Sequence, residues 1–386
     1  MPKLPKFDKK IKLSNLIIVC LVVAVAAAVL TYFVVVGGFG SMQYLDDAKR
    51  YVEIEKVIDN NYIGVVDSDD LYNAAARAMV NSIDDKWSYY MSAEEYEAYK
   101  LTTSNEYAGI GVSVKLNDSG EFEIFAVDPG TPAEEAGLSV GQKIFSVDGE
   151  AVKGKTIADV SLLIRSKVNK DFKMVILDED GDERTVTIGC EIIYRNPISS
   201  RMLEGNIGYV KISNFEAGSS ENTIKAIEQL ISAGANSFIF DVRNNPGGLL
   251  SELVDLLDYI LPDGDLFVSV DKEGNENVDV SDKISLRNKM VVIVNGNTYS
   301  AAEFFAAALQ EYNWATIVGE HTTGKARSQV TIELSDGGAV HISTHKYLTP
   351  NRVDLSEVGG VAPDITAVIG EGEGDTQLDA AIKALR

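Results

Sequence analysis

Ser300 and Lys325, which lie 25 residues apart, are the side chains of this sequence whose surroundings suggest covalent chemistry. Ser300 follows the apolar run 291–294 and opens a predicted helix over 300–311. A hydroxyl on such a strand-to-helix turn lies near free backbone N–H groups, which could stabilise an oxyanion. Ser300 and Glu303 also form the pattern of a capping box, so this segment by itself favours a plain helix cap.

A serine nucleophile needs a general base, and Lys325 is the better candidate for that role. It lies in the loop 319–329 between two predicted strands, and the spacing from Ser300 leaves room for a helix, a strand and a return loop. Because the ordinary pKa of lysine is about 10.4, a lysine base must be desolvated, whereas a loop lysine is usually solvated. The three histidines, His321, His341 and His345, do not mark a Ser-His-Asp set.

Two glycine turns could present backbone N–H groups to an anion. Gly247 and Gly248 follow an apolar strand that ends at Val242, and consecutive glycines can aim N–H groups at an oxyanion. The turn 109–111 precedes a β-strand and could hold a peptide carboxylate while the peptide adds to the sheet edge. Each could equally be an ordinary turn.

Length and composition describe a globular protein of two or three domains. The chain has 386 residues, of which 45% are hydrophobic and 24% charged. Its net charge of −23 argues against nucleic-acid binding, because phosphate contacts need clustered Lys and Arg. Two cysteines, Cys20 and Cys190, and three histidines argue against a disulfide framework and a multi-His metal site, so no cofactor is expected. Asp178, Asp180 and Asp182 favour a hairpin turn over a calcium loop.

An apolar N-terminal run predicts a membrane anchor. Residues 16–36 carry no charge and are long enough, as a helix, to cross a hydrocarbon core of about 30 Å. Five lysines precede the run, so the positive-inside rule predicts a single-pass protein of the cell membrane, with a cytoplasmic N-terminus and the chain after Gly37 outside. A cleaved signal peptide is the alternative, but its apolar region is usually about 7–15 residues long.

Changes in hydrophobic pattern along the chain predict its domain organisation. Short amphipathic helices precede residue 105, β-rich runs and turns follow, and strands alternate with helices after residue 207. The predicted units are a basic cytoplasmic tail 1–15, the anchor 16–36, a helical domain 42–104, a β-rich domain 105–190, an α/β domain 191–370 and a tail helix 371–386.

Taken together, these segments resemble the carboxyl-terminal processing proteases, also called tail-specific proteases. The resemblance rests on eight segments that occur in the family's order: 83–90, 109–112, 130–138, 207–210, 241–248, 295–303, 324–329 and 347–351. It implies a multi-domain α+β protein in which a sandwich-like PDZ domain precedes a crotonase-like α/β core. It also implies a serine endopeptidase with a Ser-Lys dyad. Combined with the predicted anchor, this gives the hypothesis of a membrane-anchored protease whose catalytic domain would be extracytoplasmic.

The resemblance also implies site residues and partners. Ser300 matches the nucleophile, Lys325 the base, and Gln329 the residue that orients the lysine. The remaining matches are an oxyanion hole at Gly247, Gly248 and the N–H of Ala301, a PDZ carboxylate loop at Gly109, Ile110 and Gly111, and an arginine that couples PDZ domain and core at Arg165. The expected partners are proteins with exposed C-termini, whose capture can switch the protease on, and a second copy of the chain in a homodimer.

The sequence departs from the family pattern at three places. Tyr299 replaces a small residue before the serine, Ala326 replaces the glycine after the lysine, and Gln142 replaces an aspartate after Gly141. The first two keep open a second hypothesis, a non-catalytic PDZ scaffold that presents peptides at the membrane. A third hypothesis is a crotonase-like enzyme of acyl-thioester chemistry.

Overall fold

The computed structural model describes residues 13–39, 42–178, 180–282, 285–370 and 374–386. The chain divides into two compact units, one that ends at Met79 and one that runs from Val80 to Arg386.

The first unit is helical. Apolar residues at helical spacing predict its helices, and the acidic residues Asp69 and Asp70 in the first turn of one of them favour the positive helix end. The observed helices are α1 (Leu13–Phe39), α2 (Met42–Asn61) and α3 (Ser68–Asn81). The predicted helical segments between residues 42 and 83 are therefore confirmed.

The predicted transmembrane anchor over residues 16–36 is corrected by the structure. A spanning helix needs about 20 consecutive apolar residues. Among the residues that the structure describes, which for the side chains of α1 are 17–33, no helix is both long and apolar enough to cross a membrane. For the described part of the chain, the membrane-spanning component of the predicted fold and the single-pass localisation with a cytoplasmic N-terminus are therefore wrong.

The second unit begins with β1 and α4 and continues into a β-rich domain. Ser92 and Glu95 form the predicted capping box at the start of α4, in which the Ser92 N–H donates to the Glu95 carboxylate at 2.8 Å. The elements are β1 (Tyr89–Met91), α4 (Ala93–Thr103), β2 (Glu106–Gly109), β3 (Val112–Leu116), β4 (Phe122–Val127), α5 (Pro132–Glu135), β5 (Lys143–Val147), β6 (Glu150–Ala151), α6 (Ile157–Arg165), β7 (Lys170–Leu177) and β8 (Glu183–Tyr194).

Strands β2 to β8 form one sheet, which lies in the region predicted to be a PDZ domain and contains the hairpins predicted there. The strand order is β2-β8-β7-β5-β4-β3, with β6 paired to β5. Alternate side chains of β4 and β7, such as Phe122, Ile124, Met174 and Ile176, are buried in the same core as Val160 of α6. The predicted hairpins β3–β4 and β7–β8 are both present.

The remainder of the second unit is an α/β layered core. Its elements are β9 (Ile198–Leu203), β10 (Ile207–Ile212), α7 (Ser219–Ser232), β11 (Ser237–Asp241), α8 (Leu250–Ile260), β12 (Gly264–Val270), β13 (Glu276–Ser281), β14 (Lys289–Val294), α9 (Ala301–Glu311), β15 (Ala315–Gly319), β16 (Arg327–Glu333), β17 (Ala339–Leu348), α10 (Leu355–Val358), β18 (Ile365–Thr366) and α11 (Thr376–Ala384).

A six-stranded sheet in the order β18-β15-β14-β11-β10-β9 forms the centre of this core. All its pairs are parallel except β9–β10, and a parallel sheet needs cover on both faces. Val292 and Val294 of β14 therefore lie in the cluster that contains α7, α8 and α9, whereas Val291 and Ile293 lie in the cluster that contains α11. The turns after the neighbouring strands β11 and β14 meet at one edge of the sheet.

A second sheet has the strand order β1-β17-β12-β13, with β16 paired to β17. Strand β16 of this sheet directly follows the loop that carries Lys325. The predicted hairpin around residues 336–338 is β16–β17.

Arg243 connects helix α11 to the end of strand β11. Its guanidinium forms ion pairs with Asp241 at 2.6 Å and with Asp375 at 2.7 Å, and it also donates to Gln377 at 3.1 Å. Asp375 in turn caps α11 by accepting from the Leu378 N–H. Since Asp241 and Arg243 are nearly buried, loss of the cation leaves a carboxylate without its counter-charge.

Arg243→Ala is therefore expected to loosen α11. A loss of about 3 kcal/mol, typical of a broken buried ion pair, would raise amide hydrogen exchange of residues 376–384 about 100-fold. Mass spectrometry of peptides from this helix measures the change. Arg352→Ala, which removes an exposed pair with Asp265, serves as the control and leaves α11 unchanged. Unaltered exchange of α11 in the Arg243 variant would contradict this account of the ion pairs.

Candidate active site

Ser300 occupies a strained turn between β14 and α9. Its backbone has φ 60° and ψ −132°, a conformation that residues with a Cβ rarely adopt. The residue is 8% exposed, and the Ser300 N–H donates to the Glu303 carboxylate at 2.9 Å. Such strain persists only where surrounding contacts hold it, and it is typical of functional sites. The strained backbone thus indicates a functional role for Ser300 in addition to the helix-capping role that the sequence pattern favours.

Hydrogen bonds fasten the serine turn to the glycine turn that follows β11. The Thr298 hydroxyl donates to the Val242 carbonyl at 2.9 Å, and the Tyr299 N–H donates to the Asn245 carbonyl at 3.1 Å. Asn245 is fully buried, and its side-chain amide donates to the Ile212 carbonyl at 2.9 Å. The two turns therefore keep a defined position relative to each other.

Gly247 and Gly248 are required by this close approach. A Cβ on Gly247 would lie 2.8 Å from the Ser300 Cβ, and one on Gly248 would lie 2.3 Å from the Phe215 carbonyl carbon. The Gly247 N–H donates to Asn245 Oδ1 at 2.8 Å. In contrast, the N–H groups of Gly248 and Ala301 make no hydrogen bond within the described residues. Of the predicted oxyanion-hole residues, Gly248 in the glycine turn and Ala301 directly after Ser300 therefore have free donors within the described residues.

The carboxylate of Glu303 joins the serine turn to the lysine loop. It is fully buried and accepts from the backbone N–H groups of Ser300 at 2.9 Å, Lys325 at 2.8 Å and Gly324 at 2.6 Å, and also from the Thr322 hydroxyl. The backbones of the two candidate catalytic residues are thus bound to one carboxylate. The sequence assigns Glu303 a capping role alone, because nothing in its spacing indicates the second set of donors.

Lys325 lies half-buried against aromatic rings. Its Nζ is 4.3 Å from the centroid of the Trp87 ring and 6.0 Å from that of Tyr299, and these two rings stack on each other. Desolvation by burial lowers the pKa of Lys325, although the carboxylates of Asp85 and Glu303 oppose the shift. Tyr299, a departure from the family pattern, thus helps to remove the lysine from water.

Within the described residues, Lys325 Nζ makes no hydrogen bond, and none joins it to Ser300 Oγ. Gln329, predicted to orient the lysine, instead donates to the Arg327 carbonyl at 3.1 Å and to the Ser343 hydroxyl at 3.0 Å. The structure therefore brings the backbones of Ser300 and Lys325 together at Glu303, but within the described residues no hydrogen bond joins their side chains. Catalytic hydrogen bonds are often long in unliganded enzymes and tighten when substrate binds.

Gly109, Ile110 and Gly111 lie in the wall of a groove of about 360 Å³ between β3 and α6. The N–H groups of Ile110 and Gly111 make no hydrogen bond within the residues described, so they are free to bind a carboxylate. Arg165 lines the same groove and is exposed. The structure thus places all four predicted residues around one groove.

Asn105, which sequence reasoning missed, connects this groove to the α/β core. Its side chain donates to the Ala217 carbonyl at 2.9 Å and accepts from the Asn214 amide at 2.8 Å. Asn105 and Asn214 both line the groove. The only sequence signal is a lone asparagine before a strand, which is common at turns.

Glu303→Gln is expected to destabilise the second unit. The NH2 group of the glutamine amide is a donor and would lie against N–H groups that now share a carboxylate. Each donor left unpaired lowers the free energy of unfolding by about 1–3 kcal/mol. Chemical denaturation followed by fluorescence of Trp87 and Trp314 measures this change. The control, Glu228→Gln on the exposed face of α7, should leave the denaturation midpoint unchanged. Equal midpoints for the two variants would rule out the proposed role of the buried carboxylate.

Comparison with known proteins identifies two regions of the chain. Residues 206–367 match peptidase family S41, and residues 123–178 match a PDZ domain. A carboxyl-terminal-processing protease of Synechocystis sp. is 31% identical over 75% of this chain and 69% of its own length. A carboxy-terminal processing protease of Bacillus subtilis is 30% identical over 95% of this chain and 80% of its own length.

A solved structure gives the same result. The photosystem II D1 C-terminal processing protease aligns with a TM-score of 0.51 and 26% identity, over 90% of this chain and 92% of that one. The predicted resemblance is therefore confirmed: the chain belongs to the carboxyl-terminal processing proteases of peptidase family S41, and it is a serine protease that carries a PDZ domain.

Proposed function

We propose that this protein is an endopeptidase that cleaves with a Ser300–Lys325 dyad and recognises the C-termini of its substrates through the PDZ groove. The observation that carries the dyad is the desolvated Lys325, whose backbone shares the buried Glu303 carboxylate with the strained Ser300 turn. The free N–H groups of Ile110 and Gly111 in the groove support recognition of a carboxylate.

In the acylation step, neutral Lys325 takes the proton of the Ser300 hydroxyl while Oγ attacks the scissile carbonyl carbon. The resulting oxyanion accepts hydrogen bonds from the N–H groups of Gly248 and Ala301. When the C–N bond breaks, Lys325 returns the proton to the leaving amine, and an ester on Ser300 remains.

In the deacylation step, Lys325 takes a proton from a water molecule, whose oxygen attacks the ester carbonyl. The C–O bond to Ser300 then breaks, and the proton passes to Ser300 Oγ. For either step Lys325 Nζ must move from the face of Trp87 toward Ser300 Oγ. Binding of substrate beside β14 is the event that we propose brings the two together, with Gln329 as the residue that orients the lysine.

The two alternative hypotheses are less well supported. A non-catalytic PDZ scaffold would not need a desolvated lysine beside a strained serine, and family membership favours proteolysis. The crotonase-like alternative rested on the α/β architecture alone, which does not imply function.

Lys325→Ala is expected to reduce the cleavage of an unfolded protein substrate by about 10⁴-fold or more, because the serine then has no base. Mass spectrometry of the products over time measures the loss. Ser300→Ala should lose as much activity, and Lys346→Ala, which removes an exposed lysine of β17, should retain full activity. Full activity of a folded Lys325→Ala protein would exclude the dyad.

Replacement of a substrate's C-terminal carboxylate by a carboxamide is expected to raise KM about tenfold, because charge-assisted hydrogen bonds to the groove are lost. Cleavage kinetics of two peptides that differ in this group alone measure the effect. A third peptide, acetylated at its N-terminus, should behave as the parent peptide. If the carboxamide peptide has the KM of the parent, the PDZ groove does not read the carboxylate.

A further inference from the structure

Glu216 lies on a short segment, residues 214–217, that is fixed against the active site. The Phe215 N–H donates to the Gly247 carbonyl at 2.7 Å, and the Leu249 N–H donates to the Phe215 carbonyl at 2.7 Å. On the other side of Glu216, the Ala217 N–H donates to the Thr103 carbonyl at 3.0 Å. The backbone of Glu216 is therefore held beside the glycine turn of the candidate oxyanion hole.

The carboxyl group of Glu216 has an unpaired buried oxygen. Its Oε2 is inaccessible to solvent and has no hydrogen-bond partner among the described residues. Buried polar atoms are nearly always hydrogen-bonded, because an unpaired one costs about 1–3 kcal/mol. Desolvation and the charge of Glu252 raise the pKa of Glu216 to about 7, whereas the charge of Lys325 acts in the opposite direction. Within the described residues, this oxygen is therefore an acceptor that remains available to a donor.

Lys325 is the complementary group, because its amine lacks a hydrogen-bond acceptor among the described residues. Its Nζ contacts the Trp87 ring but has no acceptor within the described part of the chain, and it interacts electrostatically with Glu216. Within the described residues, a buried carboxyl oxygen without a donor and an amine without an acceptor thus interact electrostatically beside the same glycine turn.

The other carboxylates around this pair already accept hydrogen bonds, and the remaining titratable groups there are lysine, tyrosine and histidine side chains. Asp85 accepts from the Ser88 hydroxyl, Glu303 from the lysine loop, and Glu252 from the Gly218 and Ser220 N–H groups. The groups that interact electrostatically with Glu216 or Lys325 are Asp85, Lys86, Tyr89, Tyr99, Glu252, Glu303 and His341. Of the four carboxylates that act on Lys325 or Glu216, only Glu216 has a buried oxygen left without a donor in the described residues.

We propose that Glu216 is a positioning residue for Lys325, in that its carboxylate accepts a hydrogen bond from the Lys325 ammonium that forms when Lys325 takes the Ser300 proton. This inference rests on the dyad proposed above. The role corresponds to that of the acid in a Ser-His-Asp triad, which orients the base and stabilises its protonated form. Glu216 is charged and able to fill it above about pH 7, and burial lowers the pKa of Lys325, which favours the neutral base as the pH rises.

The test compares the pH profile of kcat/KM for the parent and for Glu216→Gln. The parent activity should rise with pH as Lys325 loses its proton. Loss of the carboxylate removes a charge that favours the Lys325 ammonium, so the rising limb of kcat/KM should move to lower pH. The plateau of kcat/KM should fall about tenfold, because the hydrogen bond to the ammonium is lost. Glu221→Gln, the same change at an exposed residue of α7, is the matched control and should keep the parent profile. A parent-like profile for Glu216→Gln would overturn the proposal.

A second readout does not depend on activity. In a Ser300→Ala background, acetic anhydride labelling of Lys325 at a series of pH values, quantified by mass spectrometry, reports the fraction of neutral amine. Addition of Glu216→Gln should lower the pH of half-maximal labelling, and an unchanged midpoint would contradict the proposal. The thermal midpoint of this variant should not fall, since a neutral amide is less costly to bury than a carboxylate that lacks a donor.

The two proposals fail in different ways. Full activity of Lys325→Ala would reject the dyad and, with it, the role of Glu216. An inactive Lys325→Ala protein, together with a parent-like Glu216→Gln profile, would reject the role of Glu216 alone.

Discussion

The burial of one carboxylate, that of Glu303, is the constraint on which the active site depends. A carboxylate can be removed from water only if donors replace the solvent, and here three backbone N–H groups and one hydroxyl do so. Two of these donors belong to Ser300 and Lys325, so satisfying the charge also brings the backbones of the proposed nucleophile and the proposed base together. The strained backbone of Ser300 persists because its N–H is one of those donors.

The layers of the core bring the other parts of the site to the same place. Parallel strands β11 and β14 are neighbours, so the glycine turn after one meets the serine turn after the other. Glycines are needed at 247 and 248 because any Cβ there would overlap the serine turn or the backbone of Phe215. The segment that contains Phe215 also reaches Asn105, so the PDZ groove and the glycine turn at 247–248 share one piece of backbone.

Local chemistry in the sequence predicts much of this structure. The periodicity of residues 291–294 and 301–311, the hairpin turns and the glycine pair give the strands, helices and turns that carry the site. The contacts of Glu303 and Asn105 and the role proposed for Glu216 could not be predicted in this way, because they involve residues of segments distant in sequence. The apolar run 16–36 shows the opposite error, since hydropathy alone predicts a membrane span that the described helices do not provide. The position of Gln329 also depends on tertiary contacts with Ser343 that no local pattern reveals.

The central claim is that Ser300 is a nucleophile activated by Lys325, and capture of the serine by a fluorophosphonate tests it most directly. The full chain would be treated with the reagent in the presence of a saturating C-terminal peptide, and the adduct would be mapped by peptide mass spectrometry. The account predicts one adduct, on Ser300, that forms faster as pH rises and does not form in Lys325→Ala. An adduct on another residue, or labelling of Ser300 at the parent rate in Lys325→Ala, would contradict it.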